Sequence, residues 1–313
     1  MINYKQIVAE AWQFTQENRK LVIWYGALPA FFGTVVGIGY LIYQYYAFLS
    51  SQLFQNWNKS FTYLVFATIL DFLQAHRGII LPLLIAAVIL VVCYFFIPVI
   101  FEGGLIQLVA RRRNGQNIPA RKGISFGLMY FLPLFEYTLF FQIVSGTSVF
   151  SVLFTSLRNF GWQVFPLVMP IFIVAAVAVF LVAIFLTYSE FYIVIDEEKV
   201  FTSIAKSFNL VVRNLEETLL LTILMLLIGV RIIIQLFFVL LIPVVVVGVV
   251  YLMALANLPN WGLVIGGTLG IAGLLTASYL NGIIHVFSIS VWTFTFLQLT
   301  TEIKPHARDK GEH

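Results

Sequence analysis

Charge is scarce in this sequence. Asp, Glu, Lys and Arg together make up 10% of its 313 residues. A water-soluble domain of this size carries about a quarter, so water alone cannot solvate the surface. Cysteine is scarcer still. Cys93 is the only one, which excludes a disulfide within the chain, and it lies in an apolar run where a small buried side chain is the simplest reading. The first twenty residues are mixed polar, so no cleavable signal peptide is expected. Also missing are a Gly-rich phosphate loop, a nucleophile elbow, HExxH and CxxC. No catalytic residues, metal site or cofactor are therefore expected, and the sequence points away from an enzyme. An intramembrane enzyme acting on lipid would need a nucleophile–base set that the chain does not supply.

What is present is grease. Hydrophobic residues make up 61% and aromatics 16%, with a mean hydropathy of +0.97. A helix needs about 20 apolar residues to cross a hydrocarbon core of about 30 Å. Six runs qualify: 21–49, 79–110, 124–144, 165–195, 218–256 and 262–300. The fifth and sixth are nearly twice the needed length. Either they tilt and extend past the bilayer, or breaks near Pro243 and near Asn281-Gly282 divide them. The expected fold is all-α, a polytopic helical membrane bundle forming one domain over 1–313, with a polar tail at 301–313.

Orientation follows from the stretch Arg111 to Lys122, which packs five cations into twelve positions between two apolar runs. Such a cluster resists translocation and holds its side of the bilayer in the cytoplasm. With six spans, Lys5, Arg19, Lys20, Arg111, Arg112, Arg113, Arg121, Lys122, Lys199, Lys206, Arg213, Lys304, Arg308 and Lys310 fall inside. Lys59, Arg77 and Arg158 fall outside, and Arg231 lies in a span. This bias places both termini in the cytoplasm and the protein in the inner, cytoplasmic membrane. The net charge of +4 is then topological and implies no nucleic-acid partner.

Short polar-apolar segments join the spans. Residues 1–20 read as an amphipathic helix in the inner interface, with Ile7, Ala11 and Phe14 on one face. Residues 50–78 read as a short helix at the outer interface, and 145–164 as an outer connection. In 196–217, Val200, Ile204, Phe208 and Val211 form one face. Gly33 and Gly37 match the small-xxx-small spacing of closely packed helices, read here as internal packing. Ala11-Trp12-Gln13-Phe14, Ser125-Phe126-Gly127-Leu128 and Ser207-Phe208-Asn209-Leu210 share the pattern small, aromatic, any, apolar. Asn18 and Asn214 follow the first and last at equal distance. These strings suggest three repeats, about 1–110, 111–195 and 196–300, each an interfacial elbow helix followed by a helical hairpin.

Two longer strings carry a resemblance. Glu102-Gly-Gly-Leu-Ile-Gln-Leu-Val-Ala-Arg111 and Ile195-Asp-Glu-Glu-Lys-Val-Phe-Thr-Ser-Ile-Ala-Lys-Ser-Phe208 are similar to poorly characterised six-span bacterial membrane families. One is the integral membrane domain found fused to glycerophosphodiester phosphodiesterases. The resemblance implies a six-helix module rather than a reaction, and no catalytic residue carries over.

Charged residues inside lipid are the remaining candidates, because they usually face a protein interior or a wet cavity. Counted along straight helices, Arg231 lies about 20 Å deep and Glu136 about 15 Å, which suggests an ion pair that either pins helices or lines a polar route. Glu102 and Glu190 sit at the inner ends of the second and fourth runs. They either bond to neighbouring helices or form an acidic pair open to the cytoplasm. His285 is either a hydrogen-bonded packing residue or part of a polar cluster with Tyr279 and Asn281. Two functions follow: a non-catalytic scaffold or partner subunit holding another membrane or cytoplasmic protein, or a transporter of small molecules, amphiphiles or lipid through Glu136 and Arg231. Tags at both termini should be protected from external protease in intact cells; a tag cut from outside would overturn the orientation.

Overall fold

The structure is a computed structural model that describes residues 4–49, 70–71, 74–75, 77–143, 145–255 and 259–309. Helices make up almost all of it, and there is no strand among the described residues. The order is α1 (Tyr4–Glu17), α2 (Arg19–Leu21), a π-helix (Val22–Ala27), α3 (Leu28–Leu49), α4 (Arg77–Arg113), α5 (Lys122–Met129), α6 (Phe131–Ile143), α7 (Gly146–Phe160), α8 (Phe165–Leu186), α9 (Ser189–Val194), α10 (Val200–Arg213), α11 (Leu215–Leu255) and α12 (Pro259–Asp309). In lipid every backbone polar group needs an internal partner, which favours helix even in Val/Ile-rich stretches such as 244–250.

Four segments are long and apolar enough to cross a membrane: Arg19–Ala47, Ile80–Arg113, Trp162–Val194 and Asn260–Thr301. Lys122–Met129 with Phe131–Phe141 makes a fifth if this bent pair counts as one span. Their outer surfaces carry large exposed apolar side chains, including Leu81, Val88, Leu167, Val174 and Ile271. Four or five such helices make this a multi-pass membrane protein.

Several expectations change. The third run is not one straight helix, because it bends by 66° at Tyr130 between α5 and α6. The two longest runs stay whole: α11 continues through Pro243 for 41 residues and α12 through Asn281-Gly282 for 51. They therefore reach about 60 and 75 Å, well beyond a hydrocarbon core. The connection at 145–164 contains a helix, α7, whose N-cap Ser145 Oγ accepts from Ser148 N at 3.3 Å. Gly161, at φ 72, ends it. Most of the outer helix read at 50–78 lies outside the described residues.

The core of the described residues sits at the end bearing Arg111–Arg113. It gathers Ile7, Tyr25, Leu105, Ile106, Tyr188, Phe191, Phe294 and Phe296. Small residues let backbones meet there. A methyl on Gly127 would overlap the Ile100 carbonyl, and one on Gly104 would overlap Gly123, so α5 lies directly on α4. Gly33 and Gly37 meet no described atom within 4 Å, contrary to the internal packing expected of them.

The short helices are elbows against this core. α1 lays Ile7, Ala11 and Thr15 on α12, with Trp12 and Phe14 edge-on to Phe287 and Phe294 at 5.6 and 5.9 Å. α10 buries Val200, Ser203, Ser207, Leu210 and Val211. Phe208, expected on that face, is about half exposed, because small serines permit the closer approach. Asn18 and Asn214 break their helices in the same way, at φ −108, ψ 50 and φ −126, ψ 49. Each Nδ2 donates to the carbonyl four residues back, Phe14 at 2.7 Å and Leu210 at 2.9 Å.

Gly127→Ala should destabilise the detergent-solubilised protein by about 1–3 kcal/mol, the usual cost of overpacking, read as a lower melting temperature. Gly33→Ala should leave the melting temperature unchanged.

Candidate functional site: a carboxyl pair among the spans

Glu102 lies on α4, nine residues before Arg111, or about 14 Å along the axis. Two close approaches position it. Next to it, the Phe101 ring packs on Tyr25 at 5.2 Å. Tyr25 belongs to the π-helix, and its hydroxyl donates to the Ala120 carbonyl before α5. On its other side Gly103 and Gly104 admit α5. A π turn adds a residue to the helix and re-aims the side chains after it, and such turns recur at functional sites. This one drives Gly26 onto Gly282, where a side chain on either glycine would overlap backbone. The crossing fixes α12 three residues before His285.

Glu190 arrives from the fourth apolar run because that run is interrupted. At Thr187 and Tyr188 the helix breaks between α8 and α9, and Ser207 of α10 repairs the gap. Its hydroxyl donates to the Phe185 carbonyl at 2.7 Å and accepts from the Tyr188 amide at 3.1 Å. The break rotates α9 so that Glu190 faces α4.

There the two carboxyls meet. Glu190 and Glu102 lie near enough to interact directly, and His285 stands within electrostatic reach of Glu102. Two carboxyls side by side and away from water favour holding one proton between them, one acid donating and the other accepting. The Tyr137 hydroxyl of α6 stands beside both acids and donates to the Leu186 carbonyl at 3.2 Å. Ser189 Oγ, fully buried beside Tyr137, lacks a hydrogen bond of good geometry. Glu102, Glu190 and His285 are each partly buried residues. Among the described residues no three His, Cys, Asp or Glu side chains converge closely enough to hold a metal ion.

The structure thus joins Glu102, Glu190 and His285, which the sequence offered as two separate candidates. Tyr279 and Asn281 are exposed. Tyr279, six residues from His285, points to a distant face of α12, about 120° away around the axis. Glu136 is exposed on α6, whose neighbours are α4, α5, α7, α9 and α10. Its depth was counted along a straight helix, and the bend at Tyr130 removes that premise. Arg231 belongs to α11, with its side chain outside the described residues. Tyr137 and Ser189 were missed. A hydroxyl next to Glu136 and another next to Glu190 were the available signals.

Infrared spectra at neutral pH should show a protonated-carboxyl stretch that disappears in Glu190→Gln and shifts in Glu102→Gln. A band unchanged in both variants would dissolve the pair.

No family model, curated protein or solved structure matches the chain.

Proposed function

We propose that the protein is a membrane transporter that exchanges a proton for the cationic group of a small amphiphile at the Glu102–Glu190 pair. The observation that carries this reading is the approach of two carboxyl side chains, faced by His285, between segments long enough to span a membrane. Two acids sharing one proton form a site with two occupants. A proton between them leaves one net negative charge. A bound cation can replace that proton, and its departure lets the proton return. Ionisable groups at this depth ordinarily mark ion or substrate routes. Tyr137 and Ser189 supply hydroxyls that can pass the proton or hold an amine. A scaffold, to which the sequence alone leans, has no need of two acids brought together at this place.

The surrounding architecture is six spans in three units, both termini in the cytoplasm. Spacing of the helix breaks supports it. Asn18, Tyr130 and Asn214 each lie seven residues after a buried small residue: Ala11, Gly123 and Ser207. The middle unit therefore aligns on Gly123, two residues before the Ser125 suggested by the sequence pattern, and Ser125 is exposed. On this scheme Glu102, Glu190 and His285 come one from each unit, each from its second span.

Proteoliposomes with an imposed pH gradient and a fluorescent lipophilic amine test the exchange. Amine entry should dissipate the gradient. Glu190→Gln should slow it by about tenfold or more, since a hydrogen bond to a charged group is worth roughly 1.5–3 kcal/mol. Glu136→Gln should behave as the unaltered protein. Equal rates with Glu190→Gln would refute the reading.

A further inference from the structure

A second site lies apart from the carboxyl pair, where two apolar segments end. Tyr192 is close to the end of Trp162–Val194 and Thr300 close to the end of Asn260–Thr301. Between them and α10 is a groove of about 280 Å³, lined by Tyr192, Asp196, Lys206, Asn209, Arg213 and Thr300, with Leu210. Its depth is therefore that of lipid headgroups.

α10 has the faces of a helix lying in that layer. Its small buried stripe rests on the core, as described. Phe201, Phe208, Val212 and, just beyond its end, Leu215 form an exposed apolar stripe, with Phe201 80% exposed. Phe208 packs on Phe185 of α8 at 4.8 Å, and the stripe's remaining exposed surface matches the acyl region. Lys206, Asn209 and Arg213, at i, i+3 and i+7, form a polar stripe between the other two and line the groove.

The groove's charges are mixed. Lys206 pairs with Glu198 and lies 5.9 Å from the Tyr192 ring centre. Among the described residues no carboxylate forms a salt bridge with Arg213. Tyr192, buried at the base, is within electrostatic reach of Asp196 and of Arg213. A bare anion would be drawn to Arg213 and repelled by Asp196. A zwitterion matches both signs of charge.

We propose that this groove binds the headgroup of an aminophospholipid of the phosphatidylethanolamine type. Its phosphate lies at Arg213 and Asn209, its ammonium at Asp196, and its acyl chains along the exposed stripe of α10. Arg matches phosphate with several fixed donors, and a primary ammonium donates three hydrogen bonds that a trimethylated one lacks. The lipid holds α10 at the interface, and through Ser207 it steadies the helix break that presents Glu190.

The test uses the full chain in detergent, with native mass spectrometry to count bound lipid and thermal melting to read stabilisation. The probes are dioctanoyl phosphatidylethanolamine, phosphatidylcholine and phosphatidylglycerol, and soluble O-phosphoethanolamine. Phosphatidylethanolamine should bind about tenfold tighter than either other lipid, the difference expected of one charge-assisted contact. O-phosphoethanolamine alone should not raise the melting temperature. Arg213→Gln should weaken all three lipids about tenfold, Asp196→Asn should remove the ethanolamine preference, and Lys199→Gln, outside the groove, should change nothing. Equal or tighter phosphatidylglycerol binding, or full binding by Arg213→Gln, overturns the proposal. Stabilisation by O-phosphoethanolamine as strong as by the lipid overturns the membrane source. The ranking on the unaltered protein needs no variant, so a misfolded Arg213→Gln leaves it decisive.

Discussion

Three adjacent guanidiniums that lipid will not accept hold this structure together at one end. Arg111 donates to Gln107 Oε1 at 2.9 Å and lies over the Phe126 ring at 4.5 Å, which fastens α5. Arg112 donates to the Ile118 carbonyl and to Asn18 Oδ1, which fastens the loop before α5 and the elbow of α1. Arg113 donates to the Phe294 carbonyl, lies over that ring, and faces Glu10 at 3.7 Å, which fastens α12 and α1. One turn of α4 thus holds α1 and α12, which are far away in sequence, together with α5 and the loop before it. The same charge that prevents translocation is spent on hydrogen bonds once it stays in the interface. Removing one arginine would therefore loosen packing as well as weaken the topological signal.

The elbows are the second consequence. A helix lying in the interface must turn sharply to enter lipid, and each turn leaves backbone groups unpaired. Asn18 and Asn214 repair theirs with their own amides. Tyr130 donates to Glu197 at 2.6 Å and ties the middle elbow to the turn after α9. Glu197 itself adopts φ 58, an uncommon backbone for a non-glycine residue, and this hydrogen bond helps hold it.

This explains what the sequence made legible. The arginines, the paired positions of Glu102 and Glu190 and the matched Asn18 and Asn214 are local signals: charge beside grease, or a breaker at a fixed distance. They survive folding because lipid and backbone hydrogen bonding enforce them directly. The depth assigned to Glu136 lost its premise for a definite reason. Depth along a helix is readable only while the helix is straight, and the 66° bend ends that; Pro133, whose ring clashes with the carbonyl four residues back at Met129, was the available signal. His285 needed its partner from another span, and the π turn that brings α12 there leaves no periodicity to read. Gly33-Thr-Val-Val-Gly37 fits the expected packing spacing yet meets nothing described, while Gly123-Ile-Ser-Phe-Gly127, with the same spacing, makes close approaches, as do Gly26, Gly104 and Gly282.

Those glycines bear on the carboxyl pair. A hydrogen bond between two acids in a low-dielectric setting is steeply sensitive to position, since a small separation leaves a buried polar group unsatisfied. Side-chain packing alone tolerates rotamer changes; backbone against backbone does not. α4 meets α5 at Gly104 and Gly127, on either side of the turn that carries Glu102. α12 meets the π-helix at Gly282, just before His285. Glu190 rests on a different support, the buried Ser207 hydroxyl that bridges a helix break. The pair therefore joins one acid held by backbone against backbone to one held by a side-chain bridge, and the position of both is set by close packing around them.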